Sequence, residues 1–147
     1  MKDGDPRSPD HQPFLSQLGA ATYEGARVAT LMMDILRTHC GVDYWELTQD
    51  THGRLRAKLE ASQERVPGLA EAIPLLTRAV ELRNQLLHAL LAQDGLHYRG
   101  KDKSVVDFYT VGDLRATTEL FRHASRLGNE LLYHDGGAGV RRLYEGS

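Results

Sequence analysis

The fold is decided by the stretch LAEAIPLLTRAVELRNQLLHALLA, residues 69–92. At about 100° per residue, its apolar side chains fall into two arcs roughly 90° or more apart. One arc contains Leu69, Ile73, Leu76, Val80, Leu87 and Leu91, and the other contains Leu75, Leu82, Leu86 and Leu90. A helix with two apolar sides is central in a bundle or shared with a second subunit. We therefore predict one long helix here, with Pro74 in its initial turns.

Three further helices are predicted around this one. Residues 14–39 carry apolar and small residues at helical steps, including a ridge of Ala21, Gly25 and Ala29 that lets another helix approach closely. A partly exposed helix follows at about 48–64, and the last runs from the capping sequence at 110–113 to about 134. The pattern predicts an all-α, antiparallel four-helix bundle.

Between the last two long helices, the periodicity of the sequence changes. Asp94-Gly95 indicates a turn, and apolar and aromatic residues at 96–98 and 105–109 flank a Gly-Lys-Asp-Lys-Ser tip. This pattern predicts a short β-hairpin insertion. We expect a flexible N-terminal lead at 1–13, a helical domain at 14–135 and a flexible C-terminal tail at 136–147.

Composition limits the classes of function. The chain has 147 residues, a net charge of −2 and one cysteine. One domain is expected, and any nucleic-acid contact must come from a local basic patch. A single cysteine excludes an intramolecular disulfide and thiolate zinc sites. No apolar run approaches the roughly 20 residues of a membrane span, and the N-terminus does not have the pattern of a signal peptide. We expect a cytoplasmic protein without a membrane partner.

Two polar residues of the long helix project into its apolar arcs, namely Arg83 and Asn84. Burying an unpaired guanidinium costs several kcal/mol, so Arg83 needs an anion, a water-filled cleft or a partner. One explanation is a carboxylate from another helix, such as Glu24 or Asp34, with His88 as a semi-buried structural histidine. The other explanation is a phosphate site, because arginine offers a permanently charged fork that matches phosphate oxygens.

The string Arg83-Asn84-Gln85-Leu86-Leu87-His88 resembles the motif of the HEPN family. These are all-α domains in which an arginine, commonly followed by a polar residue such as asparagine, precedes a histidine by a few residues. The resemblance covers residues 14–134. It implies a metal-independent endoribonuclease in which two copies of the motif face each other across a homodimer cleft. It also implies RNA as substrate, no cofactor, a role in toxin–antitoxin or antiviral defence, and an antitoxin or regulatory protein as partner.

The resemblance gives each motif residue a role. A ribose 2′-hydroxyl attacks the adjacent phosphate, giving 2′,3′-cyclic phosphate and 5′-hydroxyl ends. His88 transfers protons and Arg83 binds the growing phosphorane charge, while Asn84 orients the site by hydrogen bonding. Five residues of separation rotate His88 about 140° from Arg83, so a second subunit or a bent helix must complete the site. Leu90 stands where a toxin subgroup carries a modified tyrosine, so a nucleotidyltransferase partner is not expected.

Basic and stacking groups on the predicted hairpin could hold an RNA strand. They are His97, Tyr98, Arg99, Lys101 and Lys103. A solvated strand edge protected by lysines is the other interpretation. The remaining histidines show no ligand spacing, so no metal is expected. Two alternatives to the nuclease stay open: a non-catalytic HEPN-like module that binds RNA or a nucleotide, and a helical dimeric scaffold or partner protein.

Overall fold

The structure, a computed structural model, describes residues 12–88, 90–92, 95–99 and 106–145, with the side chains at 12 and 88–109 outside the described set. Within these ranges the elements are α1 (Gln12–Cys40), α2 (Tyr44–Leu47), α3 (His52–Ala61), a short 3-10 helix (Gln63–Arg65), α4 (Leu69–His88), β1 (Leu90–Ala92), β2 (Gly95–Arg99), β3 (Val106–Tyr109), α5 (Val111–Leu132) and α6 (Ala138–Glu145). Helices dominate the described chain. The prediction of a mainly helical domain, compatible with a bundle, is confirmed.

Local capping determines where several helices begin and end. Gly41 adopts a φ of 67° just after α1, a conformation in which glycine avoids the steric cost of a side chain. The Thr51 hydroxyl accepts a hydrogen bond from the Arg54 backbone N–H at the start of α3. Thr110 and Asp113 form a reciprocal capping box at the start of α5. The capping sequence predicted for the last helix is therefore confirmed.

Helices α1 and α5 run in the same direction. A side chain on Gly25 would meet the ring of Phe121, and one on Gly128 would meet Leu31, so contact positions increase together along both helices. The two glycines allow this close approach. In an antiparallel four-helix bundle the first and last helices, here α1 and α5, run in opposite directions. The expectation of an antiparallel bundle is therefore wrong for this pair of helices.

Helix α4 runs against α1 and α5. Gly68, immediately before α4, lies beside Leu131 near the end of α5, whereas Arg83 near the end of α4 lies beside Gly25 in the first half of α1. Residues 41–51, which include the unpredicted helix α2, carry the chain back along the bundle before α3 begins. This return is the reason that the helices do not simply alternate in direction.

The main core is shared by the four longer helices. Its fully buried side chains include Met32, Ile35, Leu36, Leu55, Leu59, Leu69, Leu76 and Phe121. On α4, Leu82 is buried in this core, and Leu86 packs against both it and a second cluster around Phe14. The described side chains of the second apolar arc, Leu75, Leu82 and Leu86, are thus covered within the chain, and Leu90 lies outside the described set. These three side chains no longer require a second subunit.

The segment between α4 and α5 is a three-stranded antiparallel sheet with strand order β1-β2-β3. Leu90 pairs with His97, and Leu96 pairs with Tyr109. The sequence instead predicts a helix to residue 92 followed by a two-stranded hairpin. The difference arises because Leu90–Ala92 pairs with β2 rather than extending α4.

The C-terminal segment also differs from the expectation of a flexible tail. Ala138–Glu145 forms α6, which packs against α1, with Gly139 buried at the contact. A methyl group on Gly139 would lie 2.8 Å from Thr38 Cγ2, so only glycine allows this approach. Among the described residues, none of the helices has the length and apolarity that a membrane crossing requires.

Candidate functional site

Helix α4 places the Arg83 side chain across the middle of α1. Its Cγ would lie 3.5 Å from a methyl group on Gly25, so the small residue leaves room for the aliphatic stem. The side chain is half-buried, and desolvation lowers the pKa of the guanidinium while leaving it charged at neutral pH. Within the described part of the chain, no carboxylate forms an ion pair with it.

Arg83 opens into a cavity of about 200 Å³. Its walls come from α1, α3 and α4, and the lining residues are Leu18, Ala21, Thr22, Ala26, His52, Arg83, Leu86 and Leu87. The lining is largely apolar, and Arg83 and His52 are its two titratable groups. A space of this size holds several waters or one phosphoryl group. A cation in a mostly apolar cavity of this kind attracts an anion strongly, because the surrounding dielectric is low.

His52 stands at the first turn of α3 and faces the same cavity as Arg83. Desolvation, and then the positive charge of Arg83, lower the pKa of His52 to about 4. The imidazole is therefore neutral at pH 7. An anion bound to Arg83 would offset the repulsion and raise the pKa of His52 toward its ordinary range. Sequence reasoning missed this residue, because only the return of the chain through residues 41–51 brings it to α4.

Of the predicted site residues, the structure describes the side chains of Arg83 and Asn84 only. Asn84 is exposed and does not line the cavity that contains Arg83. His88 is the last residue of α4, but its side chain lies outside the described set. The side chains of His97, Tyr98 and Arg99 on β2 also lie outside it, as do Lys101 and Lys103 entirely. The described contacts therefore bring Arg83 together with His52, and the pairing of Arg83 with His88 stays a prediction.

Glu24, a candidate partner for Arg83, faces a different part of the bundle. Its Oε2 lies 3.5 Å from Arg27 Nη1 and its Oε1 lies 3.6 Å from Arg122 Nε. Asp34, the other candidate, stands nine positions beyond Gly25, or about 13 Å along α1. Burial raises the pKa of Asp34, with Arg37 opposing the increase. Neither carboxylate pairs with Arg83, so the two partners suggested by the sequence do not account for the half-buried guanidinium.

A second cavity, of about 330 Å³, lies between α1 and α5. It is lined by Glu24, Arg27, Arg122, Ser125, Arg126 and Asn129. Glu24 Oε2 and Ser125 Oγ are buried there without a hydrogen-bond partner in the described structure. Three arginines face one buried carboxylate here, and Glu119 pairs with Arg122 from outside the cavity at 2.6 Å, so the cavity is locally basic by a single excess positive charge. The net charge of −2 for the whole chain does not reveal this local basic patch.

Neither a protein-family model nor a curated protein nor a solved structure matches this chain. The HEPN resemblance therefore rests on the Arg83 to His88 string and on the helical class. What the described geometry offers chemically is a fixed cation and a neutral imidazole at one small cavity. These two groups can bind a phosphate and exchange a proton with it.

Proposed function

We propose that this protein is a metal-independent endoribonuclease of the HEPN type, acting on RNA as a homodimer. The observation that supports the proposal is the half-buried Arg83 guanidinium, which opens into a cavity and has no carboxylate partner among the described residues. Partial desolvation of a cation without a partner costs free energy, and a phosphate ligand compensates for that cost. A defence role, as a toxin or an antiviral effector, is part of the proposal.

In the proposed reaction, the 2′-hydroxyl of one ribose attacks the adjacent phosphorus and the 5′-oxygen leaves. Arg83 binds the non-bridging oxygens and stabilises the charge that grows on the phosphorane. His88 transfers the proton, and Asn84, next to Arg83 in the chain, orients the sugar-phosphate backbone from outside the cavity. His52 lies beside Arg83 and would face the bound phosphate. The products carry 2′,3′-cyclic phosphate and 5′-hydroxyl ends.

A second subunit would supply the remaining geometry. Arg83 and His88 project about 140° apart from one helix, so one ideal helix does not direct both at a single phosphate. In a homodimer, Arg83 of one protomer and the His88 of the other would meet at the cleft. The dimer proposal rests on this incomplete site, since Leu75, Leu82 and Leu86 of the second apolar arc pack within the chain.

The test incubates purified, untagged protein with mixed cellular RNA in the presence of EDTA and measures new 2′,3′-cyclic phosphate ends. We expect Arg83→Gln and His88→Ala each to lower the cleavage rate by about 100-fold or more, with folding intact by circular dichroism. Arg78→Gln is a matched control, because Arg78 is an exposed arginine on the same helix, ion-paired with Glu81. This control should cleave at the wild-type rate.

Two further measurements test the composite site. A substrate with 2′-deoxyribose at the cleaved position should not be cut, since the nucleophile is missing. Mixing inactive Arg83→Gln and His88→Ala subunits should restore part of the activity, because one intact site forms in each heterodimer. Cleavage of the deoxy substrate, unchanged activity in Arg83→Gln, or full activity in a monomer would each contradict the proposal.

A second candidate function is RNA or nucleotide binding without cleavage, and the arginine cavity between α1 and α5 favours it. Arg27, Arg122 and Arg126 would contact phosphates there. Glu24 and Thr22 lie about 200° apart around α1, so this cavity and the Arg83 cavity face different sides of the helix. Binding that weakens in Arg126→Gln but not in Arg83→Gln, with no cleavage by the wild type, would favour this function over the nuclease. A purely structural dimeric scaffold would neither cleave RNA nor bind it in these assays.

A further inference from the structure

The ends of α1 and α5 and the start of α6 bring three potential metal ligands together. His39, His134 and Asp135 each offer a ligand atom within 4.8 Å of the other two. The two imidazole centroids are 4.5 Å apart. Sequence spacing does not indicate this group, because His39 and His134 are separated by most of the chain. The expectation that the chain binds no metal was based on the sequence spacing of the histidines, and this spacing does not reveal the cluster.

Backbone carbonyls determine which nitrogen of each ring is free. His39 Nε2 lies 2.8 Å from the Leu132 carbonyl oxygen, and His134 Nδ1 lies 2.9 Å from the Leu131 carbonyl oxygen. A carbonyl oxygen can only accept, so both of these nitrogens donate a hydrogen. The lone pairs then lie on His39 Nδ1 and His134 Nε2. Histidines that bind metals usually donate their other N–H to a carbonyl or carboxylate in this way.

Asp135 is held in place by the backbone at the start of α6. Its Oδ2 accepts a hydrogen bond from the Gly139 N–H at 2.8 Å, and its Oδ1 accepts one from the Gly137 N–H at 3.1 Å. A carboxylate has about four acceptor positions, so these backbone hydrogen bonds leave room for another partner. Arg142 Nη2 is 3.9 Å from Oδ2, and its side chain is 71% exposed. This exposed arm can move into solvent when a cation binds.

We propose that His39, His134 and Asp135 bind one zinc ion, with a water as the fourth ligand. Two imidazole nitrogens and one carboxylate oxygen are a donor set that suits zinc. Ligand atoms around tetrahedral zinc are about 3.4 Å apart, so the three side chains must move closer together when the ion binds. The ion ties α6 to the ends of α1 and α5.

This zinc site is separate from the Arg83 cavity. His39 stands 14 positions beyond Gly25 on α1, which corresponds to about 21 Å. The zinc proposal therefore does not depend on the proposed nuclease, whose assay contains EDTA. Cleavage in EDTA tests only the nuclease, and zinc titration tests only the metal site.

The test uses untagged protein that has been treated with a chelator and dialysed. Titration with Zn²⁺ by calorimetry should show one ion bound per chain, and Co²⁺ should give the visible absorption of a four-coordinate site. The melting temperature should rise by about 5 °C or more at a large excess of zinc over Kd. His134→Ala and Asp135→Asn should each weaken binding by about tenfold or more.

His123→Ala is the matched control, because His123 is an exposed histidine on α5 that lies outside the cluster. It should bind zinc like the wild type. Wild-type protein that is folded by circular dichroism but shows no saturable zinc binding would overturn the proposal. Equal zinc affinity in the wild type and His134→Ala would also overturn it, since the ion would then be bound elsewhere.

Discussion

His52 should titrate far below the ordinary histidine range. Desolvation, and then the charge of Arg83, lower its pKa from 6.5 to about 4. At 1.36 kcal/mol per pH unit, the full difference corresponds to about 3 kcal/mol. Solvent reaches the partly exposed ring and screens the interaction, so we expect an effect of about 1–2 kcal/mol on stability.

The sign of the pH dependence follows from the protonation of the two states. The unfolded chain takes up a proton at His52 near pH 6.5, whereas the folded protein keeps the ring neutral until about pH 4. This contribution to stability is therefore complete above pH 6.5 and is lost as the pH falls toward 4. Urea unfolding of wild type and His52→Gln at pH 7 and pH 4.5 measures it. The wild type should lose about 1–2 kcal/mol more than the variant between these two values.

The contribution of Arg83 is measured separately by NMR titration of the His52 ring. Arg83→Met keeps the apolar stem and removes the charge, so the pKa of His52 should rise but stay below 6.5, because burial is the larger cause. Inorganic phosphate added to the wild type should also raise the pKa of His52. A wild-type His52 that titrates near 6.5, or a complete return to 6.5 in Arg83→Met, would refute this reasoning.

Two predictions concern the packing of the fold. Phe121→Ala should lower the free energy of unfolding by about 3–5 kcal/mol in urea titration, because the ring is fully buried; a loss below about 1 kcal/mol would contradict the described core. Gly139→Ala should release α6, since its Cβ would lie 2.8 Å from Thr38 Cγ2 and 2.9 Å from His39 Cε1. Amide exchange at 138–145 should then speed up while exchange in α5 stays slow, and unchanged protection at 138–145 would show that the contact is absent.

The helices could be predicted from the sequence where local signals agree with tertiary packing. The apolar repeat of α1 ends at Gly41, and the capping box at Thr110 starts α5, so both long helices were predicted closely. The prediction was wrong at Leu90–Ala92, where an apolar run that fits a helix pairs as a strand instead. Short apolar runs carry no period that distinguishes the two structures.

The candidate site could be predicted only in part. Arg83 stood out because a cation at an apolar position of a helix is costly, and the structure places it half-buried at a cavity. Its neighbour His52 could not be found in the same way, since it lies on a different helix and has no marked spacing to Arg83. Wheel geometry also placed Asn84 inside an apolar arc, whereas the packing leaves it exposed.

The parallel direction of α1 and α5 accounts for the position of the proposed zinc site formed by His39, His134 and Asp135. Because the two helices start and end together, His39 and His134 meet at one end, and the Leu132 carbonyl lies within hydrogen-bond distance of His39. In an alternating antiparallel arrangement, the last turn of α1 would lie against the first turn of α5. His39 and His134 would then be separated by the length of α5, about 33 Å. The same direction puts Phe121 against Gly25, where the stem of Arg83 from α4 also packs. The Arg83 cavity and the His39–His134–Asp135 cluster therefore both depend on how residues 41–51 and the sheet segment redirect the chain. The helical repeats of the sequence do not encode these changes of direction.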